Sequence, residues 1–197
     1  MPMKDTQESE LIAFAASYIG DMSEEERKDI LSRIQFETYQ KGELIYSQGQ
    51  IPRKVCFLIN GAVRFFYLTK DGKEHTTNFG FKNEPVVPYG SFVEQSPSGI
   101  SIAALNSVQV AWASLEDFNR VLNEHPRFQA GIAKLLGEYL IKGNQQLSLL
   151  RIGSARERYD KLCDLQPEVV RQVPLTYIAS YLDMALGTLS RVRAGKL

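Results

Sequence analysis

The chain has 197 residues, of which 44% are hydrophobic and 23% are charged, and its formal net charge is zero. Its length suits one domain or two small ones, and no apolar run approaches the roughly 20 residues of a membrane span. Two cysteines and two histidines are too few for a disulfide framework or a usual catalytic metal site. We therefore predict a cytoplasmic protein without catalytic residues, metal or cofactor.

Helix is predicted at the start of the chain, over residues 8–34, where Ser23 and Glu26 have the spacing of a capping box. From Phe36 the pattern changes to short strand-like segments that are separated by glycine turns such as Asp71-Gly72. Short strands at this regular spacing predict an antiparallel roll or barrel. The predicted strands are residues 44–46, 55–59, 62–68, 76–81 and 101–113, and residues 85–97 are irregular, apolar and proline-containing.

A long helix is predicted over about residues 126–152, after a shorter one at 114–123 that Ser114 would cap. Its apolar positions recur every three or four residues, which leaves two interpretations open. The helix could bury this stripe against its own roll, or it could pair with a copy of itself across a two-fold axis. We favour pairing, because the helix is too long for one small roll to cover. The predicted dimer interface consists of Ile132, Leu136, Tyr139, Gly143, Leu147 and Leu150.

The C-terminal end of the chain has the pattern of two short helices joined by a tight turn, after a helix at residues 156–165. Pro174 suits the start of the first helix, and the small Ala179 would let the two helices cross closely. Asp183 tolerates the left-handed backbone that such a turn often needs, and Leu189 would face inward from the second helix. This is the layout of a DNA-binding helix-turn-helix, although an ordinary helical hairpin would give the same apolar pattern.

Charge is unevenly distributed along the chain. Residues 1–50 contain five Lys or Arg against ten Asp or Glu, whereas residues 151–197 contain eight against five. This contrast is expected if only the C-terminal end contacts phosphates, although solvated helix faces could also produce it.

The order of these parts resembles the Crp/Fnr family of bacterial transcription regulators. Residues 39–49 are similar to the family's turn between its first strands, and residues 57–64 are similar to the next hairpin. The resemblance implies an α+β fold with three parts. These are N-terminal helices with an antiparallel, cyclic-nucleotide-binding-domain-like β-roll (1–124), a long dimerisation helix (125–152) and a small all-α helix-turn-helix DNA-binding domain (153–197).

Members of this family that bind cyclic AMP resemble one another in a cassette with Gly-Glu for the ribose and Arg-Ser or Arg-Thr for the phosphate. Here Ser91 follows Gly90, Ser98 and Gly99 occupy the place of the arginine pair, and residues 65–119 contain no arginine. A buried phosphate without a countercharge is costly, so we predict that cyclic nucleotide does not bind and that any effector is of another, unknown kind. The predicted effector pocket consists of Val87, Tyr89, Gly90, Ser91, Phe92, Ser98, Gly99, Tyr139 and Gly143, although these residues could instead simply fill the roll.

The resemblance also implies which residues contact DNA, with base reading assigned to the second helix of the helix-turn-helix. Arg191 can form a bidentate pair with guanine, which contributes about 1–3 kcal/mol of discrimination. Gly187 provides no side chain where the family often has an acid, and Arg193 could contact the backbone or be only a solvated charge. The predicted DNA-binding residues are Thr176, Leu186, Gly187, Thr188, Ser190, Arg191 and Arg193.

The partners implied by the resemblance are double-stranded DNA with a near-palindromic operator, a second copy of the chain, a small-molecule effector and RNA polymerase, but no membrane. Two other classes of function remain open from the residues alone. One is a ligand-binding or protein-interaction module whose terminal helices contact protein. The other is a cupin-like enzyme, which two isolated histidines disfavour because such enzymes need several metal ligands.

Overall fold

The computed structural model describes residues 2–150 and 153–196. The helical region predicted over residues 8–34 consists of two helices, α1 (Pro2–Ile19) and α2 (Glu24–Ser32). Gly20 separates them with a φ of 78°, a left-handed conformation that glycine adopts without a steric penalty. The predicted capping box at α2 is confirmed, because Glu26 N–H donates to Ser23 Oγ and Ser23 N–H donates to Glu26 Oε2.

The described residues form two four-stranded antiparallel sheets that pack face to face as a roll. One sheet has the order β1 (Gln35–Tyr39), β8 (Val108–Ser114), β3 (Lys54–Asn60), β6 (Pro85–Val86). The other has the order β2 (Leu44–Tyr46), β7 (Ser101–Ala104), β4 (Val63–Leu68), β5 (Glu74–Gly80). The predicted antiparallel roll is thus confirmed, with β1 and β6 as additional strands, and residues 101–113 divide into two strands. The prediction that residues 85–97 are irregular is wrong in part, because they contain β6 and a short helix.

The interior of the roll is formed by alternating side chains from both sheets, as expected where one face of each strand is buried. Leu58 and Val110 of the first sheet and Val63 and Ile102 of the second are almost completely buried there. This core closes the roll and fixes its outer faces, against which the helices pack.

Three helices follow or interrupt the strands of the roll. They are α3 (Tyr89–Glu94), α4 (Leu115–Glu124) and the long α5 (Pro126–Leu150). Ser114 caps α4 as predicted, because its Oγ accepts the N–H of Asp117 at 3.0 Å. Helix α5 packs against α1 and α4, so one side of it belongs to the core of its own chain.

The C-terminal head, residues 155–196, contains α6 (Ala155–Leu165), α7 (Pro167–Gln172), α8 (Leu175–Tyr181) and α9 (Leu186–Arg193). The sequence did not predict α7. Leu162, Leu182 and Leu189 are fully buried in the core of this head, which continues into the roll through Phe79 and into α5 through Leu149. Over the described ranges, no helix is both long enough and apolar enough to cross a membrane.

Candidate functional site

The turn between α8 and α9 has a defined geometry that the sequence of the turn explains. Asp183 adopts the left-handed conformation, with a φ of 50°, as the sequence predicted. The N–H of Met184 donates to Ala179 O at 3.0 Å, and the N–H of Asp183 donates to Ser180 O at 3.2 Å. These are the two hydrogen bonds of a Schellman motif, which satisfies the last carbonyl groups of α8 and fixes where α9 starts.

Helix α9 presents a polar face to solvent. Leu189 and Val192 are buried against the other helices of the head, in agreement with the predicted inward positions. All seven predicted DNA-binding residues, Thr176, Leu186, Gly187, Thr188, Ser190, Arg191 and Arg193, are exposed or only partly buried. The arrangement therefore offers a continuous, accessible surface at α9 and the start of α8.

The two arginines of α9 have different surroundings. Arg191 is exposed, and its Nε makes only a long hydrogen bond of 3.4 Å to Gly187 O, one turn earlier. Arg193 interacts with the hydroxyl of Tyr159 on α6. Arg191 is thus available to a ligand, whereas Arg193 already has a partner within the head.

The start of α9 is also open. Ala185 precedes the helix and provides no side-chain cap, and a Cβ atom placed on Gly187 would meet no heavy atom within 4 Å. The free N–H groups of a helix start favour anions such as phosphate.

The head is held against the roll by contacts that the sequence did not predict. Helix α8 packs on β5, where Thr76 N–H donates to Ser180 Oγ at 2.9 Å, and the rings of Phe79 and Tyr181 lie 5.1 Å apart. Arg64 of β4 is buried, and its guanidinium carbon lies 4.0 Å from the ring centroid of Tyr177 in α8. An arginine inside a strand whose other residues are all apolar or aromatic was the available signal for such a contact. These contacts involve α8 and leave the polar face of α9 exposed.

The predicted dimer residues follow one face of α5 but have different surroundings along its length. Ile132, Leu136 and Tyr139, in its first half, line a cavity of their own chain, and their role in a dimer stays a prediction. Gly143 is partly buried and Leu147 is 55% exposed, while the side chain of Leu150 lies outside the described residues.

The outward side of α5 carries an apolar stripe of Leu140, Ile141 and Leu147, which are 67%, 59% and 55% exposed. These three residues are called the outer stripe below. Leu147 belongs to the predicted dimer residues, whereas Leu140 and Ile141 were not among them.

A cavity of about 380 Å³ lies between the first sheet and helices α3, α4 and α5. Four of the nine predicted effector-pocket residues, Val87, Tyr89, Phe92 and Tyr139, line it. The sequence did not assign the residues that complete it from β3 and α4, including Val55, Phe57, Phe118 and Leu122. An amphipathic pattern in residues 115–122 was the only signal for the contribution of α4.

The other five predicted pocket residues, Gly90, Ser91, Ser98, Gly99 and Gly143, are not among the residues that line this cavity. Ser98 is buried within its own loop, where its Oγ donates to Ile100 O at 2.7 Å. Gly90, Ser91 and Gly99 are exposed or partly exposed on the surface. These five residues therefore lie outside the cavity, and their contact with an effector stays a prediction.

Among the described residues, Asp29, Glu124 and His125 form a group whose ligand atoms could surround a metal ion. Arg33 Nη2 bridges Asp29 Oδ1 at 2.7 Å and Glu124 Oε2 at 2.6 Å, and His125 Nε2 lies 3.0 Å from Asp29 Oδ2. The contacts with His125 and Arg33 hold the pKa of Asp29 below its usual range. We interpret this group as an ion-pair network that ties α2 to α4.

Residues 36–125 match the family described as Cyclic nucleotide-binding domain. Among curated proteins, the chain is 27% identical over 164 residues to the transcriptional activator protein Anr of Pseudomonas aeruginosa, covering 78% of this chain and 66% of that protein. It is 26% identical, with the same coverage, to the transcriptional activator protein FnrA of Stutzerimonas stutzeri. The chain thus spans slightly less than two thirds of the length of these relatives, which are described as activators and not as enzymes.

Solved structures share the fold. FixK2 of Bradyrhizobium japonicum superimposes with a TM-score of 0.69 at 20% identity, covering 82% of this chain and 83% of that one. The regulator CLP of Xanthomonas campestris gives a TM-score of 0.69 at 15% identity, covering 88% and 91%. The Catabolite Activator Protein of Thermus thermophilus gives 0.56 at 22% identity, covering 90% and 85%. These likenesses confirm the predicted combination of roll, long helix and C-terminal helices.

Proposed function

Because the chain belongs to the Crp/Fnr family and contains a cyclic nucleotide-binding domain at residues 36–125, we propose that it is a homodimeric, DNA-binding transcription regulator of the bacterial cytoplasm. The observation that carries this proposal is the exposed polar face of α9, which follows a hydrogen-bonded turn in a compact helical head. A helix presented in this way can enter the major groove.

Arg191 is the residue that we propose reads a base. It is exposed, its side chain forms one long hydrogen bond among residues 2–150 and 153–196, and its guanidinium can donate two hydrogen bonds to the O6 and N7 atoms of guanine. Thr176, Thr188 and Ser190 would contact the phosphate backbone, which positions the helix without specifying sequence.

The outer stripe of α5 supports the dimer. Leu140, Ile141 and Leu147 are large apolar side chains that a solitary chain would leave in water. Leu140 and Leu147 are seven residues apart, the heptad spacing of a two-helix seam. A two-fold dimer presents two copies of α9 to half-sites one helical turn apart, so we propose a near-palindromic operator. Since Anr and FnrA are described as transcriptional activators, we propose RNA polymerase as a further partner.

Cyclic nucleotide is not the effector that we propose. The sequence lacks the arginine that the cyclic-AMP cassette requires, and Arg64, the arginine nearest to that cassette on its N-terminal side, interacts with Glu74 and Tyr177. A desolvated phosphate would have no guanidinium partner from the roll.

The test begins with selection of duplexes from a library with a random core, using the full chain at low salt. Electrophoretic shifts with the selected duplex and with an unrelated duplex then compare wild type with Arg191→Ala. Each lost guanine contact should weaken specific binding about 5- to 150-fold, whereas binding to the unrelated duplex should change little. Arg27→Ala, which removes an exposed arginine of α2, is the matched control and should bind as wild type does.

Two outcomes would contradict the proposal. If no duplex is enriched at low salt, the terminal helices serve another purpose, and a protein-interaction module becomes the better hypothesis. If Arg191→Ala weakens binding to both duplexes equally, the arginine contributes only charge, and its proposed role in reading a base is wrong.

A further inference from the structure

The cavity between the roll and helices α3, α4 and α5 has the size of a small-molecule site. Its volume of about 380 Å³ lies within the range of roughly 300–1,000 Å³ that is typical of ligand pockets. Its walls come from five elements, with Val55 and Phe57 on the strand side and Phe118, Leu122 and Leu136 on the helix side. Tyr89 and Val93, which are 42% and 60% exposed, stand at its border with solvent and mark an entrance.

The lining of this cavity is almost entirely apolar. None of the described residues that line it carries a charge. Gln95 is one of the few polar groups, and its side-chain Nε2 already donates to Phe92 O at 2.6 Å and Pro52 O at 3.1 Å. Tyr139 is hydrogen-bonded to Asn78 through its hydroxyl group. The side-chain N–H groups of Gln95 and the hydroxyl of Tyr139 are therefore engaged with the protein, and Tyr89 and Asn119 supply the other polar side chains of the lining.

This chemistry restricts what the cavity can accept. An anion or a cation would lose its hydration without gaining a countercharge, which is costly in an apolar site. An uncharged apolar molecule loses little on entering and gains dispersion contacts with the surrounding side chains. A phosphate-containing ligand is therefore a poor match for these walls.

The position of the cavity relates it to the proposed dimer. Ile132, Leu136 and Tyr139 of α5 line it, while the next two residues of the helix, Leu140 and Ile141, are exposed. An occupant would contact the helix whose outer stripe we propose to form the dimer seam. The cavity is thus suitably placed to affect how the two heads are presented.

We propose that this cavity binds an uncharged, predominantly apolar small molecule, which acts as the effector of the regulator. The role as effector rests on the proposed function, whereas binding itself does not require DNA. A second cavity of about 300 Å³, where the roll meets α5 and the head, has charged walls that include Glu84, Lys142 and Arg171, and is excluded from this proposal.

The experiment titrates the full chain, without DNA, with the uncharged fluorophore N-phenylnaphthylamine. Its emission should rise to saturation at one molecule per chain. Leu136→Trp fills the cavity from α5 and should weaken the affinity at least about tenfold, because the probe loses its space. Leu68→Trp makes the same exchange at a side chain that is 43% exposed and outside the cavity, and should bind as wild type does. If Leu136→Trp does not fold, Val93→Trp at the entrance takes its place.

Competition determines the chemical class of the occupant. Naphthalene should displace the probe, while naphthoate, of similar shape but anionic, should do so at least about tenfold more weakly. Cyclic AMP should not displace it. The proposal is wrong if both cavity variants bind the probe like Leu68→Trp, or if the anion competes as well as the hydrocarbon. These results do not depend on duplex binding, so a failure here is distinguishable from a failure of the proposed function.

Discussion

Removing the ring of Tyr177 should loosen the contact between the head and the roll. The guanidinium of Arg64 lies between two rings, 4.1 Å from the centroid of Phe66 in the roll and 4.0 Å from that of Tyr177 in the head. Only 5% of the Arg64 side chain is exposed, and it is ion-paired with Glu74. Tyr177 thus contributes the head's part of a buried cation–π contact.

The burial of Arg64 determines how large the coupling free energy between Arg64 and Tyr177 should be. A cation–π contact contributes about 0.5–1 kcal/mol when exposed and about 2 kcal/mol or more when desolvated. We therefore expect a coupling free energy of about 1–2 kcal/mol between Arg64 and Tyr177. Tyr177→Ala alone also removes buried ring area, so the pairwise contribution requires a double-mutant cycle with Arg64→Met. Glu74 is 46% exposed and stays solvated when its partner is removed, so its contribution to the cycle is small.

Urea unfolding of wild type, both single variants and the double variant, followed by circular dichroism, gives the four free energies if the transition is two-state. Tyr177→Phe retains the ring and is the matched control, with most of the coupling preserved. Hydrogen exchange provides a local measure, because the Thr76 amide donates to Ser180 across the same contact and should exchange faster in Tyr177→Ala. A coupling below about 0.3 kcal/mol, within the error of additivity, would refute the reasoning.

Three further predictions concern the long helix, the recognition helix and acid stability. Leu140→Glu places like charges in the outer stripe and should shift sedimentation from dimer to monomer, whereas an unchanged dimer would show that the seam lies elsewhere. Gly187→Ala should raise the free energy of unfolding by about 0.5–1 kcal/mol, because alanine favours helix and its Cβ meets no atom within 4 Å. A lower free energy of unfolding in denaturant would show that the added methyl group is not accommodated. Contacts with His125 and Arg33 lower the pKa of Asp29 in the folded state, so its contribution to stability is present above about pH 4 and is lost as the pH falls further. The melting temperature of Asp29→Asn should therefore fall less steeply with acidification than that of wild type, and equal slopes would argue against this contribution.

The local sequence was sufficient to predict most helices, the hairpin turns and the turn before α9. Ser23 with Glu26, Ser114 with Asp117, and Asp183 with Ser180 form hydrogen bonds between residues three positions apart. Such contacts need no information about the rest of the fold, so their residue types identify them directly. For the same reason the exposure of Arg191 could be predicted from the period of its short helix.

The tertiary structure alone determined which side of α5 faces the roll and which residues enclose the cavity. Both sides of that helix carry leucine or isoleucine, so the period of the pattern was visible but its phase was ambiguous. The position of Arg64 under Tyr177 and the meeting of Val55 with Phe118 and Leu136 join segments that are distant in sequence. Contacts of this kind arise from the packing of whole helices and strands. The local sequence does not determine them, because the neighbours of each side chain depend on how all the elements pack together.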